Sequence, residues 1–216
     1  SYCVDTSVKK AFSVKAFAIE PPKVEPPKVE PPKVEPPAQS DPAIYEYLTK
    51  AVTTLSFSDT GNFKKDCLDN HNILRHLMRR TTLVWDDRLA KQAQFYSKDL
   101  AKRNAFDHSN KTLEPFGQLG ENLYKITNGK FSPKAGILAW FNEYPLYAVG
   151  TKLASDPVAF KAYGHFTQMQ YPTLTKVGCG VAFKHETHFF TCNYDAVQIS
   201  GQILDMSIPS PRPYGL

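Results

Sequence analysis

The sequence has no apolar stretch of the roughly 18 to 20 residues that a membrane-spanning helix needs, so none is expected within it. Its opening segment, SYCVDTSVKKAFSVKAFAIE, carries lysines where the apolar core of a signal peptide would have to lie. A start at Ser1 rather than Met fits a mature product whose signal peptide is gone, and the expected localisation is secreted and extracellular. The formal net charge is +5, yet the basic residues form no long run and no cluster interleaved with stacking aromatics. Nucleic-acid binding is therefore without support. Hydrophobic residues at 42% and charged residues at 22% are ordinary globular values, and 216 residues suit one core with appendages.

Proline is the exception, because eight of the 17 prolines gather in one segment. Residues Glu20 to Pro37 read EPPKV, EPPKV, EPPKV, EPP. Proline fixes φ and removes the amide donor, so this segment is predicted to be polyproline II at about 3.1 Å per residue, a semi-rigid arm roughly 55 Å long. Three residues per turn brings Glu20 to the edge of Lys23, but successive pentads rotate and no single charged face results. The arm reads as a spacer or as a docking strip for an aromatic groove. The chain thus divides into an N-terminal segment (1–19), the arm (20–42), a folded domain (43–202) and an irregular tail (203–216) containing SIPSPRPYGL.

Within the domain, Asn62 to Arg80 carries Phe63, Cys67, Leu74, Leu77 and Met78 on one helical stripe. Asp86 to Asn104 carries Leu89, Ala93, Tyr96 and Leu100 at i, i+4, i+7, i+11. Ser132-Pro133 and Asp156-Pro157 each read as an N-cap followed by a first-turn proline, the first helix running until Pro145 ends it. KVGCGVAF (176–183) and THFFTCNY (187–194) are rich in aromatic and β-branched residues and read as a hairpin turning at Lys184 to Glu186. With the turn centred between His185 and Glu186, Cys179 and Cys192 face each other across a pair about 4.5 Å apart at Cα, close enough for a disulfide. Cys3 and Cys67 remain: they pair with each other, or Cys67 is a buried thiol and Cys3 joins another chain. Helices followed by a short strand pair give an α+β fold.

Four segments then fall in a suggestive order: Asp107-His108-Ser109, Gly120-Glu121-Asn122-Leu123, Trp140-Phe141-Asn142-Glu143 and Gly164-His165-Phe166-Thr167-Gln168. They resemble the signature segments of the CAP superfamily, the cysteine-rich secretory, antigen 5 and pathogenesis-related 1 proteins that share the SCP domain. His71-Asn72 with Arg75, Leu83-Val84-Trp85-Asp86, Val177-Gly178-Cys179-Gly180 and Cys192-Asn193-Tyr194 extend the likeness from about Phe63 to Gln202. Two places depart from it. Met169-Gln170-Tyr171 stands where relatives have two aliphatics and a tryptophan, and Asp195 to Gln202 lacks the usual proline and Gly-Asn step.

The resemblance implies a three-layer α-β-α sandwich with a small antiparallel sheet and an open cleft, preceded here by the polyproline arm. It implies that His108, Glu121, Glu143 and His165 line the cleft, with Ser109, Asn122 and Gln168 supporting it. Two imidazoles and two carboxylates suit a divalent metal, zinc first, in an open and weakly bound site where a carboxylate ligates or orients an imidazole. Asn110-Lys111-Thr112 is an N-glycosylation sequon at the cleft mouth. His71, on the apolar stripe four residues after Cys67, reads as a satisfied core histidine, and Trp140 and Tyr144 read as core.

The leading function is a secreted binding module that recognises an extracellular protein partner, with a lipid or sterol as a further ligand class carried by the resemblance. An alternative is a structural component of an extracellular assembly, docked by the arm with Cys3 available for cross-linking. A CAP-type hydrolase is a second alternative, with Ser109 as nucleophile beside His108. Adjacent residues on an extended chain point to opposite faces, and no glycine-rich elbow surrounds Ser109, so no catalytic residue is assigned.

Overall fold

The computed structural model describes residues 3–7, 42–147, 153–154 and 157–202; the EPPKV arm and the tail 203–216 lie outside the described residues. Local signals account for most helix boundaries. Asn62 caps α2 (Phe63–Leu77) by accepting the amide of Lys65 at 3.1 Å, and the stripe beneath it buries Cys67, Leu74, Leu77 and Met78. Asp86 caps α3 (Asp87–Arg103) by accepting from the amides of Arg88 and Leu89, and Asn104 ends it in the left-handed region at φ 53°. Ser132 accepts from the amide of Ala135 to start α4 (Pro133–Phe141). α4 stops four residues before Pro145, which sits in a 3-10 turn, Tyr144–Leu146. Pro145 has no amide hydrogen to give the Phe141 carbonyl four residues back, and its ring crowds that carbonyl, so the α-helical ladder closes at Phe141. Two short helices follow, α5 (Pro157–Lys161) and α6 (Gly164–Met169).

One helix lies ahead of those expected. α1 (Pro42–Thr54) buries Leu48, stacks Tyr45 on Tyr144 at 6.1 Å, and donates the Tyr45 hydroxyl to the Tyr147 carbonyl at 3.0 Å.

The main sheet has the order β1-β5-β7-β6-β2, formed by β1 (Cys3–Ser7), β2 (Val84–Trp85), β5 (Gly120–Thr127), β6 (Lys176–Lys184) and β7 (Thr187–Tyr194). Its centre, β5-β7-β6, is antiparallel; β1 and β2 add to the two edges in parallel. β3 (Thr112–Leu113) and β4 (Gly117–Gln118) make a separate small hairpin. Lys184 pairs with Thr187 across the two-residue turn His185-Glu186, and Cys179 faces Cys192 and is disulfide-bonded to it, with the Cα atoms 4.1 Å apart. Cys67 is a free thiol, fully buried, so of the two alternatives for it the buried thiol holds and the Cys3–Cys67 bond does not form. Burial pushes the Cys67 thiol well above its ordinary pKa and keeps it protonated.

The sheet is the middle layer of a three-layer α-β-α sandwich. Consecutive phenylalanines on β7 point to opposite faces. Phe189 joins Tyr96, Leu100 and Leu123 under α3, while Phe190 joins Leu74, Ile137, Trp140 and Phe166 under α2, α4 and α6. Glycines let α3 approach closely: a Cβ on Gly178 would lie 2.1 Å from the Ala90 amide nitrogen, and one on Gly180 would lie 2.3 Å from the Gln94 backbone.

Candidate functional site

The cleft forms where one end of β5 and β7 meets α6 and the segment leaving α3. Glu121 and Asn122 project from opposite faces of β5, His165 sits in the first turn of α6, and His108 and Ser109 lie between α3 and β3. Each carboxylate clamps one imidazole and the backbone that carries it. Glu143 accepts the His165 Nδ1–H at 2.6 Å, and its other oxygen accepts the amides of His165 and Phe166 at 3.0 and 3.2 Å. Glu121 accepts His108 Nδ1–H at 2.8 Å and the Ser109 amide at 2.9 Å, while its second oxygen takes the Ser109 hydroxyl and Asn193 Nδ2. A carboxylate only accepts, so both rings are held with the proton on Nδ1. In a neutral His165 ring Nε2 is then the lone-pair atom, and Nε2 is buried with no hydrogen-bond partner among the described residues. The ring of Trp140 stacks on that of His165 at 6.2 Å and 16°.

Behind the cleft runs a buried chain of polar contacts. Asn122 Nδ2 donates to the His165 carbonyl at 3.0 Å and to the Tyr194 hydroxyl at 3.3 Å. The Tyr194 hydroxyl donates to His71 Nε2 at 2.9 Å, and His71 Nδ1–H donates to the Cys67 carbonyl at 2.8 Å. His71 is thus a satisfied core histidine, neutral because burial pushes its pKa down to about 4. Arg75, fully buried, donates to the carbonyls of Thr81, Met169, Tyr171 and Leu174 and so pins the strand of chain that follows α6.

The far wall is the segment that departs from the family pattern. Gln168 donates to the Ala196 carbonyl at 3.0 Å and accepts the Gln198 amide at 3.1 Å; Gln198 in turn donates to the Gly164 carbonyl and accepts from Thr167. A Cβ on Gly120 would lie 2.4 Å from both the Ala196 carbonyl oxygen and Gln168 Nε2, so only glycine lets β5 approach this latch. Between the walls lies a cavity of about 160 Å³ lined by His108, Asn110, Glu121, Asn122, His165, Gln168, Val197 and Gln198. Sequence reasoning missed Val197 and Gln198; the alternation of the departing segment carries no signal for them.

The four-residue metal set is narrowed by this geometry. Among the described residues, no three or more His, Cys, Asp or Glu side chains stand where they could hold a metal ion together. Glu121 and Glu143 are committed to Nδ1 and backbone amides, which makes them orienters of His108 and His165 rather than free ligands. Ser109 is likewise bound to Glu121, so the carboxylate stands between serine and imidazole, the reverse of a nucleophile-base-acid line.

The family model described as CAP, the cysteine-rich secretory protein family, matches residues 68–194. The chain belongs to this family. It is 33% identical over 136 residues to pathogenesis-related protein PR-1 of Medicago truncatula, an alignment covering 62% of this chain and 73% of that one. Among solved structures, Na-ASP-1 superposes with a TM-score of 0.55 at 24% identity, over 68% of this CAP chain and 42% of that longer one. NaASP2 with Zn2+ superposes with a TM-score of 0.52 at 24% identity, over 68% of this chain and 88% of that one. At these identities the structures attest the three-layer fold. No helix among the described residues of this CAP protein is long and apolar enough to cross a membrane.

Proposed function

We propose that this CAP protein is a secreted binding protein that recognises a protein partner through the cleft, with His165 and His108 as the polar anchors. The observation that carries the reading is that His165, a residue lining the cavity, holds a buried Nε2 with no partner among the described residues. A buried lone pair without a partner carries an energetic penalty, which an arriving donor or cation removes. The cavity, at about 160 Å³, is below the roughly 300 Å³ at which small-molecule pockets begin. It favours a single polar side chain of a partner over a whole sterol or acyl chain. The formed disulfide and the family's secretory character support an extracellular setting. In that setting Asn110, exposed and at the cavity rim, is a glycosylation site.

A divalent cation is the second occupant this chemistry suits, because two imidazoles pre-oriented by carboxylates present nitrogen donors of the kind zinc prefers. A zinc ion bound there would bridge the cleft histidines to a partner's donor. Bridging suits an open site, whose remaining positions are free for exogenous ligands. NaASP2, a protein of the same fold, was solved with Zn2+.

The test is calorimetric titration of the whole chain with zinc and, separately, affinity capture from extracellular fluid, using wild type, His165→Ala and His108→Ala. Saturable one-to-one zinc uptake lost in both variants supports the metal reading. No uptake at millimolar zinc removes it. A captured protein retained equally by all three chains removes the cleft as the recognition site.

A further inference from the structure

We infer that the cleft selects positive charge, and that the group it takes from a protein partner is the cationic head of an arginine or lysine side chain. This rests on the cleft reading above and names the chemistry of what enters.

The polar groups that line the cavity below its rim accept hydrogen bonds or are already committed as donors. With its proton held on Nδ1 by Glu143, the neutral His165 ring offers a lone pair at Nε2, buried and without a partner among the described residues. Asn122 Nδ2 donates to the His165 carbonyl and the Tyr194 hydroxyl, Gln168 Nε2 to the Ala196 carbonyl and Gln198 Nε2 to the Gly164 carbonyl. The amides of His165 and Phe166, which open α6, are both bound by Glu143 and so are not offered to an anion. Asn110 and Gln118, the remaining lining amides, are exposed and uncharged.

The charge at the cavity has one sign, although the whole chain carries +5. Apart from the two histidines, Glu121 is the one ionisable side chain among the lining residues, and Glu143 lies behind the His165 ring. These two carboxylates are 6% and 13% exposed, so salt and water screen them little. A cation at His165 Nε2 would stand one imidazole ring away from Glu143, within reach of its attraction. A carboxylate in the same place would be repelled and would find few donors, so the arrangement rejects as well as selects. Leu119 and Val197 give apolar contact to the aliphatic stem of lysine or arginine, and Phe160 adds an aromatic ring on which a guanidinium can stack.

The test titrates the full chain, in EDTA and at a pH where an ordinary histidine is neutral, with the N-acetyl amides of arginine, lysine, glutamine and glutamate. Nitrogen NMR follows the His165 ring, whose signal is assigned by its loss in His165→Ala. The arginine and lysine probes are expected to shift Nε2 saturably, with affinity falling several-fold at high salt. The glutamine and glutamate probes are expected to give no saturable shift over the same range. Equal binding of the glutamine probe would overturn the inference, because the cleft would then take any donor. Preference for the glutamate probe would overturn it by reversing the sign, and so would the absence of a shift with all of the probes. The first two results leave the cleft as a recognition site. Failure of the cleft reading itself shows elsewhere, as a captured protein retained equally by wild type and both histidine variants.

Discussion

Glu143 grips His165 twice, taking the ring Nδ1–H at 2.6 Å and the backbone amide of the same residue at 3.0 Å. One side chain therefore fixes both the tautomer and the position of the ring. Glu143→Gln keeps the shape but substitutes an amide that can present N–H to Nδ1. Nitrogen NMR of the histidines is expected to show the Nδ1–H tautomer in wild type and a mixture of tautomers in the variant. Hydrogen bonds to a charged group contribute about 1.5 to 3 kcal/mol, so the variant should also be destabilised by about 2 kcal/mol in urea unfolding. Zinc affinity should fall by about 10- to 100-fold, the usual cost of removing an orienting carboxylate. An unchanged histidine spectrum would remove Glu143 as the orienter.

The approach of α3 to the sheet sets a second expectation. The Cβ introduced by Gly178→Ala would meet the backbone at Leu89 and Ala90 rather than a side chain that can swing away. The helix has to move as a body, lifting Leu89, Ala93 and Leu100 from the sheet. Overpacking of this kind typically costs about 3 kcal/mol at the upper end of its ordinary range, and more where backbone must shift. A loss below about 1 kcal/mol in chemical denaturation would mean that α3 is not seated as close as described.

The contrast between what was legible and what was not follows from range. Asp86 and Asn104 bracket α3 through local bonds, and the facing of Cys179 and Cys192 follows from a short turn, so both were readable directly. His108, Glu121, Glu143 and His165 come from four separate elements, and no periodicity brings them together; only the likeness to a family did. Even that likeness did not reveal that the carboxylates face Nδ1, because side-chain direction at a junction depends on packing from several elements. β1 was missed because parallel pairing to a distant strand leaves no local pattern, and the Gln198 latch because its bonds, to the Gly164 carbonyl and the Thr167 and Gln168 side chains, all reach back to α6 across a long stretch of sequence. α1 had a usable signal in Ile44, Leu48, Ala51 and Leu55, an i, i+4, i+7, i+11 stripe that continues just past its last turn.

The two kinds of cysteine make separable claims. Cys179 and Cys192 are 13 residues apart, and a loop of about that size restricts the unfolded chain by about 3 kcal/mol. The double variant Cys179→Ala/Cys192→Ala should lose about 2 to 4 kcal/mol by calorimetry or urea unfolding. Cys67 is buried and protonated, so in a Cys3→Ser chain Ellman's reagent should find no reactive thiol in the folded protein. One thiol should appear on denaturation. Rapid reaction of the folded chain would show that the core under α2 opens readily.

His71 should make stability depend on pH in a definite window. Its ring is enclosed by the Cys67 carbonyl, the Tyr194 hydroxyl and ring, and the ring of Trp140, with the Arg75 guanidinium one turn away adding positive charge. Burial is the larger cause and Arg75 the lesser, and together they hold the folded pKa near 4 against 6.5 for an ordinary histidine. Because the folded value is depressed, the unfolded chain takes up a proton first as pH falls. The stabilising contribution is therefore complete above pH 6.5 and is lost as pH drops from 6.5 to about 4. The loss approaches about 1.4 kcal/mol per pH unit, or about 3 kcal/mol across the window. Asp66, whose carboxylate is held below its usual pKa by bonds from Ser58, Thr60 and Gly61, adds acid sensitivity of its own, but it does so equally in a chain lacking His71. The comparison is thus urea unfolding of wild type and His71→Gln at pH 7.5, 6, 5 and 4. The variant should be weaker at pH 7.5, where it has lost the Tyr194 bond, and should close the gap as pH falls. Parallel pH profiles for the two chains would mean that His71 is already charged in the folded protein or exposed to solvent.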